Sequence, residues 1–168
     1  MMTEPEAIQK ARACFLQDGY GCAETALIVL QQVYGLADAN DSSPAMALNG
    51  GVAWSGGICG SIAGAALAVG KLAARRTADR RAAKQVARQI VARCMEGFRA
   101  QFGAVNCRDL IQRDIHAEEQ HAAFVASGIW RDGCMQQIEF AIRHLYPLCD
   151  GPTWQQVLVS LSRDQLGQ

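Results

Sequence analysis

Cysteines are the residues of this 168-residue chain best suited to chemistry, and four of the seven share a sequence context. Each of these four lies close after glycine, asparagine or aspartate, at a predicted helix start. The four are Cys22, Cys59, Cys107 and Cys134. The unpaired N–H groups and dipole of a helix N-terminus favour negative charge, so we expect thiol pKa values below the ordinary value of about 8.5. Because the thiolate attacks disulfides and binds metals, the pattern predicts a four-cysteine redox or metal site.

The spacing of these cysteines shows that only the folded chain could assemble such a site. No Cys-x-x-Cys pair occurs, which argues against zinc-ribbon and thioredoxin-type motifs. Four thiolates could hold an iron–sulfur cluster or, as the weaker expectation, zinc. They could equally cycle between dithiol and disulfide without a cofactor. We expect Gly57, Gly60 and Gly64 to leave room for a bound cofactor. The other cysteines are predicted to be structural: Cys14, Cys94 and Cys149.

Apolar residues recur at helical spacing through most of the chain, and no useful strand alternation is present. We therefore predict an all-α single domain over residues 1–168, a bundle of about six or seven helices. The first helix should follow an N-cap at Thr3, and the second should begin near Cys22. Gly56, Gly60 and Gly64 recur every four residues, which predicts one glycine face on a helix for close packing or for a bound group. The predicted helices are 4–17, 22–35, a helix within 46–74, about 81–99, one after 106, 132–146 and 154–161, and the stretch 114–127 is also compatible with a helix.

Composition narrows the choice of partners and of compartment. Acidic and basic residues balance at 16 each, so no affinity for nucleic acid is expected. The apolar stretch from Ile58 to Val69 is shorter than the roughly 17–25 residues of a membrane span. The first residues show no export signal, so we expect the cytoplasm, where thiols stay reduced. A homodimer is consistent with the glycine-lined helix, and a redox protein would need a partner protein that the sequence leaves unidentified.

Two other functions remain open at the level of sequence. Glu118 and His121 form a Glu-x-x-His pair, with His116 nearby, but a di-iron bundle needs two such pairs and only one occurs. We expect these residues to be exposed. Alternatively, the chain could be a non-catalytic helical binding or assembly module with structural cysteines. In that case the glycine face and the basic segment between Lys71 and Arg99 would serve as interaction surfaces.

Taken together, four short motifs resemble the CGCAxxGCC (C_GCAxxG_C_C) family of redox-active proteins from bacteria and archaea. They are Gly21-Cys22-Ala23-Glu24, Gly57-Ile58-Cys59-Gly60-Ser61-Ile62-Ala63-Gly64, Asn106-Cys107-Arg108-Asp109-Leu110 and Gly133-Cys134. The resemblance covers about residues 18–146 and implies a four-cysteine site for an iron–sulfur cluster or for thiol redox chemistry. Ser61 replaces the alanine of the family motif. Its hydroxyl is expected near the Cys59 thiol, where it would alter hydrogen bonding.

Overall fold

Helices form where apolar residues recur every three or four positions, because that spacing gives each helix one face to bury. The structure is a computed structural model that describes residues 2–166, with side chains through residue 160. Its α-helices are α1 Glu4–Leu16, α2 Cys22–Val33, α3 Gly60–Arg76, α4 Arg80–Phe102, α5 Cys107–Ile111, α6 Glu118–Ser127, α7 Met135–Leu145 and α8 Gly151–Leu166. Two 3₁₀-helical turns, Ser43–Leu48 and Tyr146–Cys149, and one π-helical turn, Trp130–Cys134, lie between them.

The all-α prediction is confirmed, since the described residues contain no strand. Residues 1, 167 and 168 of the predicted domain lie outside the described part. The predicted N-cap is also confirmed: the Thr3 side chain accepts from the Glu6 N–H, and the Glu6 carboxylate accepts from the Thr3 N–H. Helix α4 begins after an Asp79 cap and ends at Gly103, whose φ of 80° is left-handed.

Helix α2 is the centre of the core. Its side chains are buried on almost every face, and it packs against α1, α3 and α7. Ala26, Leu27 and Leu30 are fully buried, as expected for a helix surrounded by others. Within the described part of the chain, no helix combines the length and the apolar character that crossing a membrane requires.

Two glycines allow α3 to lie directly against α2. A Cβ on Gly64 would collide with the backbone of Ala23, and one on Gly60 would collide with the Cys22 sulfur. The predicted glycine face is therefore right for these two residues and wrong for Gly56. Helix α3 begins only at Gly60, and Gly56 precedes it with a φ of 78° beside the Arg108 side chain.

The segments before α3 and before α5 run side by side. An isolated antiparallel bridge joins Ile58 to Asn106. The Cys59 N–H donates to the Val105 carbonyl at 2.8 Å, and the Cys107 N–H donates to the Gly57 carbonyl at 2.7 Å. Residues far apart in sequence are thus fixed next to each other at the starts of two helices.

A left-handed turn lies between the Ser43–Leu48 turn and α3. All five residues from Gly50 to Trp54 have positive φ, including the non-glycine residues Val52 (66°), Ala53 (49°) and Trp54 (63°). Each non-glycine residue in this conformation costs roughly 1–2 kcal/mol, and such strain tends to be retained at functional sites. The turn adjoins the cysteines described next.

Candidate redox site

The structure brings the four cysteines together in one place. The pKa of the Cys134 thiol is raised in part by the charges that Cys22, Cys59 and Cys107 would carry. Cys59 acts in the same way on Cys22, and Cys22 on Cys107. The contacts of the chain agree with this. The Cys22 sulfur lies against Gly60, the residue after Cys59. The Cys107 N–H donates to the Gly57 carbonyl, and Cys107 and Cys134 pack in one apolar cluster. The role of these thiols in redox chemistry stays a prediction, although the fold does assemble them.

Cys22 is the first residue of α2 and is held by a small polar network. Its thiol contacts the Asn49 side-chain oxygen at 3.8 Å, and the same oxygen accepts from the Ala23 N–H at 2.9 Å. The Asn49 amide donates to Glu24 at 3.0 Å, and that carboxylate also accepts from the Gly21 N–H. Asn49 therefore caps α2 from a distant segment and orients the cysteine at its start.

Cys59 is the N-cap residue of α3 and is only 3% exposed. Its sulfur lies 3.2 Å from the Ser61 hydroxyl and 3.5 Å from the side-chain oxygen of Gln137 on α7. The expectation that the Ser61 hydroxyl reaches this thiol is confirmed. Gln137 is itself buried, so the thiol has polar neighbours in an otherwise apolar region.

Cys107 and Cys134 pack in an apolar cluster with Ile111, Ile115 and Phe124. Cys107 is the first residue of α5, as predicted. Asn106 precedes this helix without capping it through its side chain, and its amide donates instead to the Asp109 carboxylate. Helix α5 has five residues, so its dipole is small.

The predicted helix start at Cys134 is wrong. Cys134 ends the π-helical turn Trp130–Cys134, which continues directly into α7, and its own backbone is helical. Asp132, the expected cap, lies inside this turn. Helical backbone both precedes and follows Cys134. Cys134 therefore does not lie in the first turn of its own helix.

The expected lowering of the thiol pKa values is also wrong at all four positions. Burial raises the pKa of Cys22 and of Cys107 to about 12 and that of Cys59 to about 11, and neighbouring thiols add to the effect. Burial, followed by the other three thiols, raises the pKa of Cys134 as well. Hydrogen bonds from backbone N–H groups, including that of Gly50 to Cys22, act in the opposite direction but are too weak. Desolvation exceeds the helix-start effect because these thiols lie inside the protein.

The three glycines predicted to leave room at the site have separate packing roles. Gly60 faces the Cys22 sulfur, and Gly64 faces the Ala23 backbone. A Cβ on Gly57 would lie 3.0 Å from the Gly51 carbonyl oxygen in the left-handed turn. The glycines thus permit close approach of protein groups around the cysteines. Their predicted contact with a cofactor remains an expectation.

The donor set matches soft metal centres better than hard ones. Thiolates are the ligands of iron–sulfur clusters and of structural zinc. A single zinc ion draws its sulfur ligands to about 2.3 Å from one point. Among the described residues, no group of three or more His, Cys, Asp or Glu side chains is arranged to hold one metal ion. The binding of a metal or cluster by these cysteines therefore stays a prediction.

In the part of the chain that the structure describes, the residues of the carboxylate–histidine alternative form no metal site. Glu118 and His116 are exposed, as expected, whereas His121 is half-buried. The His121 ring makes an edge contact with Trp54, with centroids 4.4 Å apart. Trp154 is buried in the core, but Trp54 is 43% exposed beside the cysteines.

Cys14 and Cys94 are buried and Cys149 is half-buried, and all seven cysteines are free thiols.

Asn49 and Gln137 are site residues that the sequence did not predict. A lone asparagine in an uncharged segment and a glutamine on the buried face of α7 have no local signature. For Gln137 the sequence offers one signal. It is a polar residue at a position where the helical repeat of α7 calls for an apolar one, and it lies one turn after Cys134.

The fold and the site define a small all-α protein with four neighbouring thiols, two of them buried and two half-buried. Residues 20–147 match the model of the family described as "Putative redox-active protein (C_GCAxxG_C_C)". The chain belongs to this family, and Cys22, Cys59, Cys107 and Cys134 all lie within the matched residues. Comparison with curated proteins and with solved structures finds no match.

Proposed function

We propose that this protein is an electron-transfer protein that holds an iron–sulfur cluster through Cys22, Cys59, Cys107 and Cys134. The convergence of four thiols from four separate segments carries this proposal. Cys59 and Cys107 are placed by paired backbone segments, and Cys22 is placed by its contact with α3. A bound cluster would supply one-electron transfer at a potential set by burial and by hydrogen bonds to sulfur.

The electrostatics of the site support a cationic metal centre. Four neighbouring thiolates in an apolar interior repel one another. Burial is the largest influence on the pKa of each thiol, and a neighbouring thiol adds to the rise in every case. Metal coordination removes the thiol proton outright and balances the negative charge. The Ser61 hydroxyl and the Gly50 N–H lie where they would hydrogen-bond to ligating sulfurs. An unidentified partner protein would exchange electrons with such a centre.

Elemental analysis of protein purified without oxygen tests the proposal. Iron with a matching amount of acid-labile sulfide is expected, and both should be lost in Cys22→Ser and Cys134→Ser. Cys149→Ser is the matched control, since Cys149 is also half-buried but lies in the Tyr146–Cys149 turn, at the opposite end of α7 from Cys134. Iron retained in both site variants, or lost equally in the control, contradicts the assignment.

Reversible dithiol chemistry is the competing outcome of the same experiment. Raised pKa values make uncoordinated thiols poor nucleophiles near neutral pH, which weighs against it. Metal-free protein that loses a pair of thiols on mild oxidation and regains them with a reductant would replace the cluster by a disulfide. Metal-free protein with an unchanged thiol count would refute redox chemistry at this site and favour structural cysteines.

A further inference from the structure

A cavity of about 300 Å³ opens directly beside the thiols. Three of the four cysteines of the candidate site line it: Cys22, Cys107 and Cys134. Its walls come from α1, the left-handed turn, α6 and the π-helical turn. The volume is at the lower end of the range for small-molecule sites, about 300–1,000 Å³. The cavity therefore has room for a compact ligand in contact with the cysteines.

The lining of this cavity is aromatic and uncharged. None of the described residues that line it is Asp, Glu, Lys or Arg. Its aromatic side chains are Phe15, Tyr20, Trp54, Phe124 and Trp130. Phe15 and Trp130 meet edge to face, with ring centroids 5.7 Å apart. Such rings favour another planar ring, in offset or edge-on contact, over an aliphatic chain. Entry of a charged molecule would cost desolvation that no opposite charge in the lining offsets.

Strain is concentrated at the mouth of the cavity. The left-handed turn places Trp54 at the opening, where its ring contacts His121 of α6. Trp54 is 43% exposed and Val125 is 50% exposed, although both are apolar. Keeping a tryptophan half-exposed by means of a strained backbone costs free energy that packing alone does not explain. The Trp54 ring is available to cover a bound molecule.

We infer that this cavity binds a small, uncharged aromatic molecule of about two fused rings, in contact with the cysteine site. The inference rests on the proposed function for its purpose, because quinones are the redox-active molecules of this chemical class. The binding itself depends only on the cavity and its aromatic walls. The Asn49 amide already donates to Glu24 and to the Met46 carbonyl, so His121 is a polar side chain of the lining that could donate to a carbonyl group.

Calorimetric titration with a matched pair of probes tests this inference. The neutral 2-naphthamide should bind at least about tenfold more tightly than the anionic 2-naphthoate, because only the latter buries a charge. Both probes are redox-inert and do not react with thiols. Val125→Arg should weaken 2-naphthamide binding at least about tenfold by placing a charge at the mouth. Val159→Arg is the control: Val159 is 52% exposed and does not line the cavity.

Absence of 2-naphthamide binding, or equal losses in the two arginine variants, overturns the inference. Equal affinity for the two probes also overturns it, since the ligand class is defined by lack of charge. If Val125→Arg fails to fold by circular dichroism, Trp54→Ala replaces it and should likewise weaken binding. The titrations are made on the protein as purified and again after metal removal, because Cys22, Cys107 and Cys134 line the cavity. Protein that contains no metal but binds 2-naphthamide would support the cavity inference and refute the cluster proposal. Protein that contains iron but does not bind 2-naphthamide would support the cluster proposal and refute the cavity inference.

Discussion

Replacing Gly64 by alanine tests how closely α2 and α3 must pack. The new Cβ would lie 2.8 Å from the carbonyl carbon and 3.0 Å from the Cα of Ala23, and closer still to its carbonyl oxygen. These atoms belong to the backbone of a buried helix, so no side-chain rotation relieves the clash. The two helices would have to separate, which disturbs the largest helix–helix contact in the core.

The expected loss follows from two opposing effects. Overpacking a well-packed core typically costs about 1–3 kcal/mol, and a clash with backbone belongs at the upper end of that range. Alanine favours helix over glycine by up to about 1 kcal/mol. We therefore expect Gly64→Ala to lower the free energy of unfolding by about 2 kcal/mol, measured by urea denaturation with circular dichroism.

Gly70→Ala provides the matched control on the same helix. A Cβ at Gly70 would meet no described atom within 4 Å, so only the helix preference applies. This variant should gain about 0.5–1 kcal/mol. If Gly64→Ala were as stable as the unmodified protein, or if the two variants shifted stability in the same direction, the backbone-contact argument would be refuted.

Three further predictions concern the surroundings of the site. Asn49→Ala should lower stability by about 1 kcal/mol through loss of the α2 cap, and should speed alkylation of Cys22 in metal-free protein; unchanged alkylation would exclude the positioning role. Val52→Gly should raise stability by about 1 kcal/mol, because Val52 is 47% exposed and its φ of 66° suits glycine; a loss of stability would contradict the strain argument. Burial raises the pKa of Cys94 to about 12, so the native state keeps a proton that the unfolded state releases above about pH 9. Stability should therefore fall as pH rises from 9 toward 12, and Cys94→Ala should reduce that slope by about 1.4 kcal/mol per pH unit; identical slopes would show that Cys94 ionises freely.

Local sequence was sufficient to predict most helices. The Thr3–Glu6 capping box and the apolar repeats of α2 and α4 are short-range features, and the structure has these helices within a few residues of the predicted bounds. The number of helices also follows from such repeats: seven of those in the described chain have ten or more residues. Short-range interactions alone decide these elements, so tertiary context changes little there.

The surroundings of the cysteines could not be predicted because they depend on long-range contacts. Glycine and aspartate before Cys134 resemble a helix start, yet the chain passes through them as a π-helical turn. The bridge between Ile58 and Asn106 joins two segments that are far apart in the chain, and nothing in the sequence of either segment predicts that they pair. Helix starts at Cys22 and Cys107 predict low thiol pKa values, but burial, which only the tertiary fold determines, reverses the direction.

The glycines after Cys59 connect the packing of the core to the assembly of the site. Gly60 and Gly64 are one turn apart on α3, and both face the start of α2, where Cys22 lies. Gly60 admits the Cys22 sulfur itself, and Gly64 admits the next residue of the chain, Ala23. Any side chain at either position would move Cys22 away from Cys59. The Cys-Gly-Ser-Ile-Ala-Gly segment is therefore a spacing device: its cysteine supplies one thiol, and its glycines determine how near the next thiol can come.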